Sequence, residues 1–447
     1  MSIPSVPQVL LVPFGYPDYP QELLRRFLSL SEKALQEAGL AVRSVEPVIE
    51  RNDVARAVRQ ISCCTEYDVI VALLLSWVEA PNFVAVLQDF FHRPLVLWSH
   101  TTFVENGKRF TLGPLPAAGV LRETLEEMGV NFQFVFGHPE ELSVRKEIVR
   151  YSKAAFAVRR LRKSRVGLLG YASMGMYTGT FDHVKVRTRL GPEVDHLDQY
   201  LLVKKIENFT ASDVQEMVEQ AKASWDLSLA VTNEDLVLTM RVFRALEEIV
   251  RERDHDALTV KCQYELSRLY GMAPCVSLSL LGDRMPVSCE GDVLLTVSQL
   301  LLHSLTGEVV SYGDVHDFVD NGIVLGACGF APLSLAACRP AIDKHSALYQ
   351  GLLNSSPYRD GLVTVMRLAS DGDGFKMHVA VGEAQTPPAF QEVGCPPYPC
   401  VRVNLRGNAR EFILRLMSQH YGIVYGDLQP ELMDVAKILG IRVVLAE

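Results

Sequence analysis

The chain has 447 residues, 48% of them apolar and 22% charged, a globular balance too long for one ordinary core and incompatible with wholesale disorder. Acids outnumber bases 53 to 44, for a net charge of −9, the opposite of what non-specific nucleic-acid binding requires. The densest apolar run, 69–78, is stopped by Glu79 and Pro81, far short of the roughly 20 residues of a membrane-spanning helix.

The first 150 residues alternate strand and helix signals. Strands are expected over 9–13, 40–45, 69–75 and 95–98, with helices over 22–38, ended by Gly39, and from a cap at Asp53 to Ile61. The uninterrupted apolar character of 69–75 suits a parallel strand buried on both faces. A basic segment, 159–165, reads as a domain boundary. The rhythm then restarts, with strands expected over 166–170, 193–197, 257–260, 275–280 and 287–289, helices over 211–224 and 233–253, and a glycine-rich loop over 171–182. The last part alternates with period 2 over 361–368 and 375–381, joined by Ser370-Asp-Gly-Asp-Gly, a hairpin signal, and again over 401–405. A helix over 430–439 and a strand over 441–445 close the chain. The pattern predicts two consecutive doubly wound, Rossmann-like α/β domains followed by a β-rich antiparallel domain, a barrel or sandwich, divided at 1–160, 161–300 and 301–447.

The N-terminus lacks the regions of a signal peptide, and the nine cysteines, an odd number, read as reduced thiols, with Cys275, Cys328 and Cys338 in apolar surroundings; the chain is expected to be cytoplasmic. Cys395 and Cys400 have the wrong spacing for a zinc knuckle and read as a proline-stiffened loop. Gly167, Gly170 and Gly175 fail the dinucleotide fingerprint and leave a loop at a strand's carboxyl end. Two carboxylate-bearing segments follow apolar strands: Glu265 after 258–260, and Glu290-Gly-Asp292 after 287–289. Adjacent strand ends bring such groups to one rim, where oxygen ligands suit a hard divalent ion. Capping of the apolar helix after Asp292 accounts for that residue equally well. His420 and His378 are candidate nitrogen donors.

Tyr264-Glu265-Leu, Glu290-Gly-Asp292-Val-Leu-Leu, Asn321-Gly-Ile-Val-Leu-Gly-Ala-Cys-Gly329 and His420-Tyr, in that order and on that architecture, resemble the L-fucose/L-arabinose isomerase superfamily, the fucose-isomerase branch more closely. The resemblance implies an aldose–ketose isomerase that uses Mn2+, with Mg2+ or Co2+ able to replace it. It implies Glu265, Asp292 and His420 as metal ligands, Glu265 and Asp292 as the proton-handling carboxylates, and Trp77 against the sugar from a neighbouring subunit of a homo-oligomer. Gly326-Ala327-Cys328 carries no His, which argues against an arabinose-type four-ligand site. The expected partner is a small-molecule sugar, a monosaccharide or an acidic derivative such as a sulfonated sugar, with no nucleic acid and no membrane. An enediolate formed between C1 and C2 needs a Lewis acid and a proton shuttle, which two carboxylates, a His and a metal supply. A non-catalytic sugar-binding protein, or a metal-dependent sugar aldolase or hydrolase, are the alternatives.

Overall fold

The computed structural model describes residues 6–345, 350–387 and 398–446. Two compact units emerge: one runs to Arg160 and includes Pro430–Gly440, the other takes Leu161–Gln429 and the residues from Ile441 on. Among the described residues no helix is long and apolar enough to cross a membrane.

Unit 1 holds β1 (Gln8–Phe14), α1 (Gln21–Glu37), β2 (Ala41–Ser44), α2 (Val54–Ser62), β3 (Val69–Leu74), α3 (Ala80–Leu87), β4 (Leu95–Ser99), the small hairpin β5 (Phe103–Glu105) and β6 (Lys108–Phe110), α4 (Pro114–Glu127), β7 (Gln133–Phe136) and most of α5 (Leu142–Lys163). Its sheet is parallel in the order β2-β1-β3-β4-β7. Every residue of β3 is buried, because successive side chains enter two cores. Leu10, Ile70 and Leu97 pack with α2, α3 and α4, whereas Val9, Val71 and Trp98 pack with α1 and α5. Asp53 caps the short turn that precedes α2, accepting the Glu50 and Ile49 N–H groups, rather than α2 itself.

Unit 2 begins with β8 (Arg165–Leu169), the turn α6 (His183–Lys185), β9 (Glu193–Leu197), α7 (Gln199–Asn208), α8 (Gln215–Ser224), β10 (Asp226–Leu227), α9 (Asn233–Arg253), β11 (Ala257–Val260), α10 (Cys275–Gly282), β12 (Val287–Cys289) and α11 (Val293–Thr306). The order β12-β11-β8-β9 is again parallel. The strand expected over 275–280 is the helix α10. A short apolar run reads alike as a buried strand or a buried helix, and here Pro274 occupies the cap position, seven of the eight residues are buried, and the Ser279 hydroxyl donates to the Cys275 carbonyl one turn back. Cys275 and Cys328 are buried, but Cys338 is exposed, contrary to expectation.

The chain continues through β13 (Ser311–Val319), β14 (Gly322–Gly326), β15 (Ala341–Lys344), β16 (Leu352–Asn354), β17 (Gly361–Asp371), β18 (Gly374–Gln385), β19 (Cys400–Leu405), α12 (Ala409–Leu414) and β20 (His420–Tyr425). α13 (Gln429–Leu439) lies almost wholly in unit 1, and β21 (Arg442–Leu445) returns to unit 2. Strands β10, β15 and β16 form a small separate sheet. The order β17-β20-β13-β14-β19-β18 closes because β18 pairs back onto β17, giving an antiparallel barrel with β21 added to β18. The hairpin expected at Ser370–Gly374 joins β17 to β18, with Gly372 at φ 53° where a left-handed residue is needed. Cys400 starts β19 and is buried; Cys395 lies outside the described residues.

Helix α11 is buried throughout 293–302 and touches β8, β11 and β12 on the parallel sheet and β17 and β20 on the barrel. Its few polar side chains tie it to both: Gln299 donates to the Val287 carbonyl, and the Ser298 hydroxyl accepts the Leu368 N–H. A Cβ on Gly422 of β20 would sit 3.2 Å from Leu302, so the glycine allows this close approach.

His378 on β18 is buried, stacked on Phe412 and 2.8 Å from the Tyr421 hydroxyl. Burial, assisted by Arg415, pushes its pKa down to about 4. Unfolded, it titrates near 6.5. Unfolding therefore takes up a proton between these values, and stability falls as pH drops from about 6.5 to about 4, by up to about 1.4 kcal/mol per pH unit from this residue. His378→Gln should flatten the pH dependence of the urea midpoint by up to one proton; an unchanged slope would show that the histidine charges within the fold.

Candidate active site

Strands β11 and β12 are neighbours, with Val260 opposite Cys289, so the segments that follow them leave one rim of the sheet. After β12 the chain turns through two left-handed residues, Glu290 at φ 66° and Gly291 at φ 71°. A Cβ on Gly291 would lie 2.2 Å from the Tyr171 carbonyl oxygen, so only glycine lets the 171–182 loop pack here. The Ser173 N–H donates to the Glu290 carbonyl at 2.8 Å, fixing that loop to the turn. Asp292 follows as the cap of α11, its Oδ1 accepting the Leu295 N–H at 3.0 Å.

The barrel supplies the opposing groups. Arg367 of β17 grips Asp292 with both terminal nitrogens, Nη1 at 2.8 Å from Oδ2 and Nη2 at 3.2 Å from Oδ1, and also donates to the carbonyls of His420 and Thr178. His420, the first residue of β20, places Nδ1 2.9 Å from Asp292 Oδ2. Its Nε2 lies 3.3 Å from Glu290 Oε2 and 3.2 Å from Asp314 Oδ1, the latter directly across the ladder on β13. Gln263 donates to the other Glu290 oxygen at 2.7 Å. Asp292, Arg367 and His420 are all within 1% of complete burial.

These contacts set the charges. Burial alone would raise the Asp292 carboxyl, but Arg367 and His420 outweigh it and hold the group well below the usual carboxylate range. Burial likewise opposes a charged His420, yet Asp314, Asp292 and Glu290 prevail and hold the imidazole well above its ordinary value. His420 Nε2 nevertheless makes no well-formed hydrogen bond, although two carboxylates face it.

Of the residues expected from the sequence, Asp292 and His420 are brought into direct contact. Asp292 also caps its helix, as the capping reading expects. Glu265 follows β11 at the same rim but is exposed, and Lys261 Nζ lies 2.8 Å from it and draws its carboxyl below the ordinary value. No hydrogen bond or ion pair among the described residues joins Glu265 to Asp292 or His420. Trp77 belongs to unit 1, partly buried against its core, with its backbone N–H donating to the Leu112 carbonyl at 2.7 Å. Glu290, quoted in the motif but given no role, and Asp314, Arg367 and Gln263 were not foreseen. An arginine at the inner end of the apolar strand 361–368 was the available signal for Arg367; Asp314 had none. Among the described residues, the set of three possible ligands within 4.8 Å of one another is Cys262, Cys289 and Glu290, whose thiols suit softer ions than Mn2+.

No known family profile matches the chain. It is 23% identical to the sulfoquinovose isomerase of Priestia megaterium, covering 97% of this chain and 98% of that protein. It is 24% identical to the sulfoquinovose isomerase of Alkalicoccus urumqiensis over 85% and 86% of the two chains, and 22% identical to the L-arabinose isomerase of Anoxybacillus flavithermus over 71% and 67%. These similarities support a sugar isomerase superfamily of the L-fucose/L-arabinose isomerase type. The resemblance read from the Glu265, Asp292 and His420 segments is thus borne out at the level of the superfamily, and the relatives indicate an aldose–ketose isomerase. A glucose–galactose binding protein from Geobacillus stearothermophilus is 11% identical over 68% of this chain and 93% of its own, but its TM-score of 0.18 supports no structural comparison.

Arg367→Met removes one partner of a fully buried pair and leaves Asp292 with His420 alone. A loss of about 3–5 kcal/mol in unfolding free energy is expected in denaturant titration. A midpoint near the wild-type value would show that Asp292–His420 suffices.

Proposed function

We propose that the chain interconverts the aldose and ketose forms of a sulfonated monosaccharide such as sulfoquinovose, with a divalent metal at the site built by Asp292 and His420. The observation that carries this is the buried meeting of carboxylates and an imidazole at the rim of the parallel sheet, in a chain aligned end to end with sulfoquinovose isomerases. The residue chemistry fits the group: carboxylate oxygens with one imidazole suit Mn2+, Mg2+ or Co2+, and the buried His420 Nε2, without a well-formed hydrogen bond, faces Glu290 and Asp314. Glu265, Asp292 and His420 are the proposed ligands, Mn2+ the first choice, with Glu290 and Asp314 beside the imidazole. When bound, the metal supplies Lewis-acid stabilisation of the sugar oxygens.

The residues of the chain do the rest. Arg367 holds Asp292 ionised and fixed in direction. Gln263 fixes Glu290, and Asp292 orients His420 through Nδ1. A carboxylate takes the proton from C2 and returns it at C1. Glu265, partly free of the fold, and Asp292 are the candidates for that work. Trp77 is the proposed aromatic against the sugar, from a neighbouring subunit of a cytoplasmic homo-oligomer, and the three-part division at 160 and 300 is the proposed domain plan. Two all-parallel sheets and a closed barrel support that plan.

Sulfoquinovose and Mn2+ incubated with the purified protein should yield the corresponding ketose, and exhaustive chelation should abolish turnover until Mn2+ is restored. Full activity in the chelated, metal-free protein would overturn the metal reading. Glu265→Gln and Asp292→Asn should each lower kcat by at least about 10²-fold. If Asp292→Asn lowers only the melting temperature, while the folded fraction turns over normally, the residue is a cap alone. His420→Ala should weaken Mn2+ binding and activity together, while His378→Gln should leave the metal titration unchanged; the reverse pattern would move the site onto β18.

A further inference from the structure

A cavity of about 400 Å³ opens at the carboxyl ends of β8, β9 and β11, where ligands of open α/β sheets sit. Tyr171, His196, Asp198, Gln199 and Lys261 line it. Two of these residues join it to the active site. The Tyr171 carbonyl lies against Gly291, between Glu290 and Asp292. Lys261 is 2.8 Å from Glu265. An ammonium carries three donors, and the pair with Glu265 uses one. The Lys261 side chain is only 21% exposed, which limits the competition of water for the others. The one acid in the lining is already engaged: Asp198 caps α7 by accepting the Tyr200 N–H at 2.7 Å. Gln199 donates to the Lys261 carbonyl and steadies that segment. His196 meets His183 through the two Nε2 atoms at 2.8 Å, which leaves Nδ1 as the other polar atom of its ring.

We infer that this cavity receives the anionic tail of the substrate, a sulfonate or phosphate oxyanion, with Lys261 as its charge partner and His196 as a second donor. Lys261 and His196 are then specificity-determining residues, and Lys261 links recognition of the tail to Glu265 at the reacting end. The inference rests on the isomerase reading above and adds where the acidic substituent is held.

The test compares kcat/KM for a 6-sulfonated hexose, the same hexose 6-phosphorylated, and the neutral hexose, in the wild-type protein, Lys261→Gln and His196→Asn. Loss of a charge-assisted hydrogen bond predicts a fall of roughly 10- to 100-fold for the anionic sugar relative to the neutral one with Lys261→Gln, mainly in KM. Any loss common to all three sugars belongs to the contact with Glu265. The anion whose preference collapses identifies the oxyanion. An unchanged anionic-to-neutral ratio in both variants overturns the inference. If the wild-type protein turns over none of the sugars, the isomerase reading fails, and calorimetry with methanesulfonate then decides the cavity by itself. Binding that weakens in Lys261→Gln supports it, and no binding overturns it.

Discussion

The buried contact of Asp292 with Arg367 and His420 is the constraint on which unit 2 depends. Three ionisable side chains leave water completely, which is costly unless each finds a partner of opposite sign and the hydrogen bonds are well formed. Arg367 meets this condition by gripping both Asp292 oxygens, and His420 by placing one nitrogen on Asp292 and the other towards Glu290 and Asp314. The carboxylate comes from the end of a parallel strand and its partners from two strands of a barrel. The cluster therefore ties two architectures together at one rim of the sheet.

Helix α11 makes the meeting possible. It is buried on every side because it has sheet on one face and barrel on the other, and its N-cap must carry an acceptor. Asp292 is that acceptor, so one residue ends the turn, starts the helix and faces Arg367. Two glycines set the distances: Gly291 lets the Tyr171 carbonyl come within a side chain's reach, and Gly422 lets Leu302 approach β20. The left-handed Glu290 stores local backbone strain of about 1–3 kcal/mol, the kind of strain that gathers at functional sites.

The rim also separates two kinds of carboxylate. Asp292 and Glu290 are buried and held by named partners, while Glu265 stands in solvent with Lys261. A fixed group suits holding and orienting; an exposed one with a single cationic partner is free to change its contact when substrate arrives. Lys261 lines the neighbouring cavity as well, so occupation of that cavity and the state of Glu265 share one ammonium.

The alternation of strand and helix, the turn chemistry of Ser370–Gly374 and the apolar runs of β3 and α11 made most of the fold legible in the chain, because period and punctuation are local properties. Asp292 and His420 were legible through their motifs. The run at 275–280 was not, since a wholly buried helix and a wholly buried strand carry the same apolar signature and only the packing around α10 separates them. Asp314 and Arg367 were out of reach for a different reason. Asp314 faces His420, 106 positions away, across the β13–β20 ladder, and Arg367 reaches Asp292, 75 positions away, at the cap of α11; only the long-range packing of strands and helix establishes those pairings. What the sequence determined by itself was the kind of residue available for the chemistry. Which of them meet, and which stay in solvent as Glu265 does, was decided by the tertiary structure, because long-range register and burial have no local pattern.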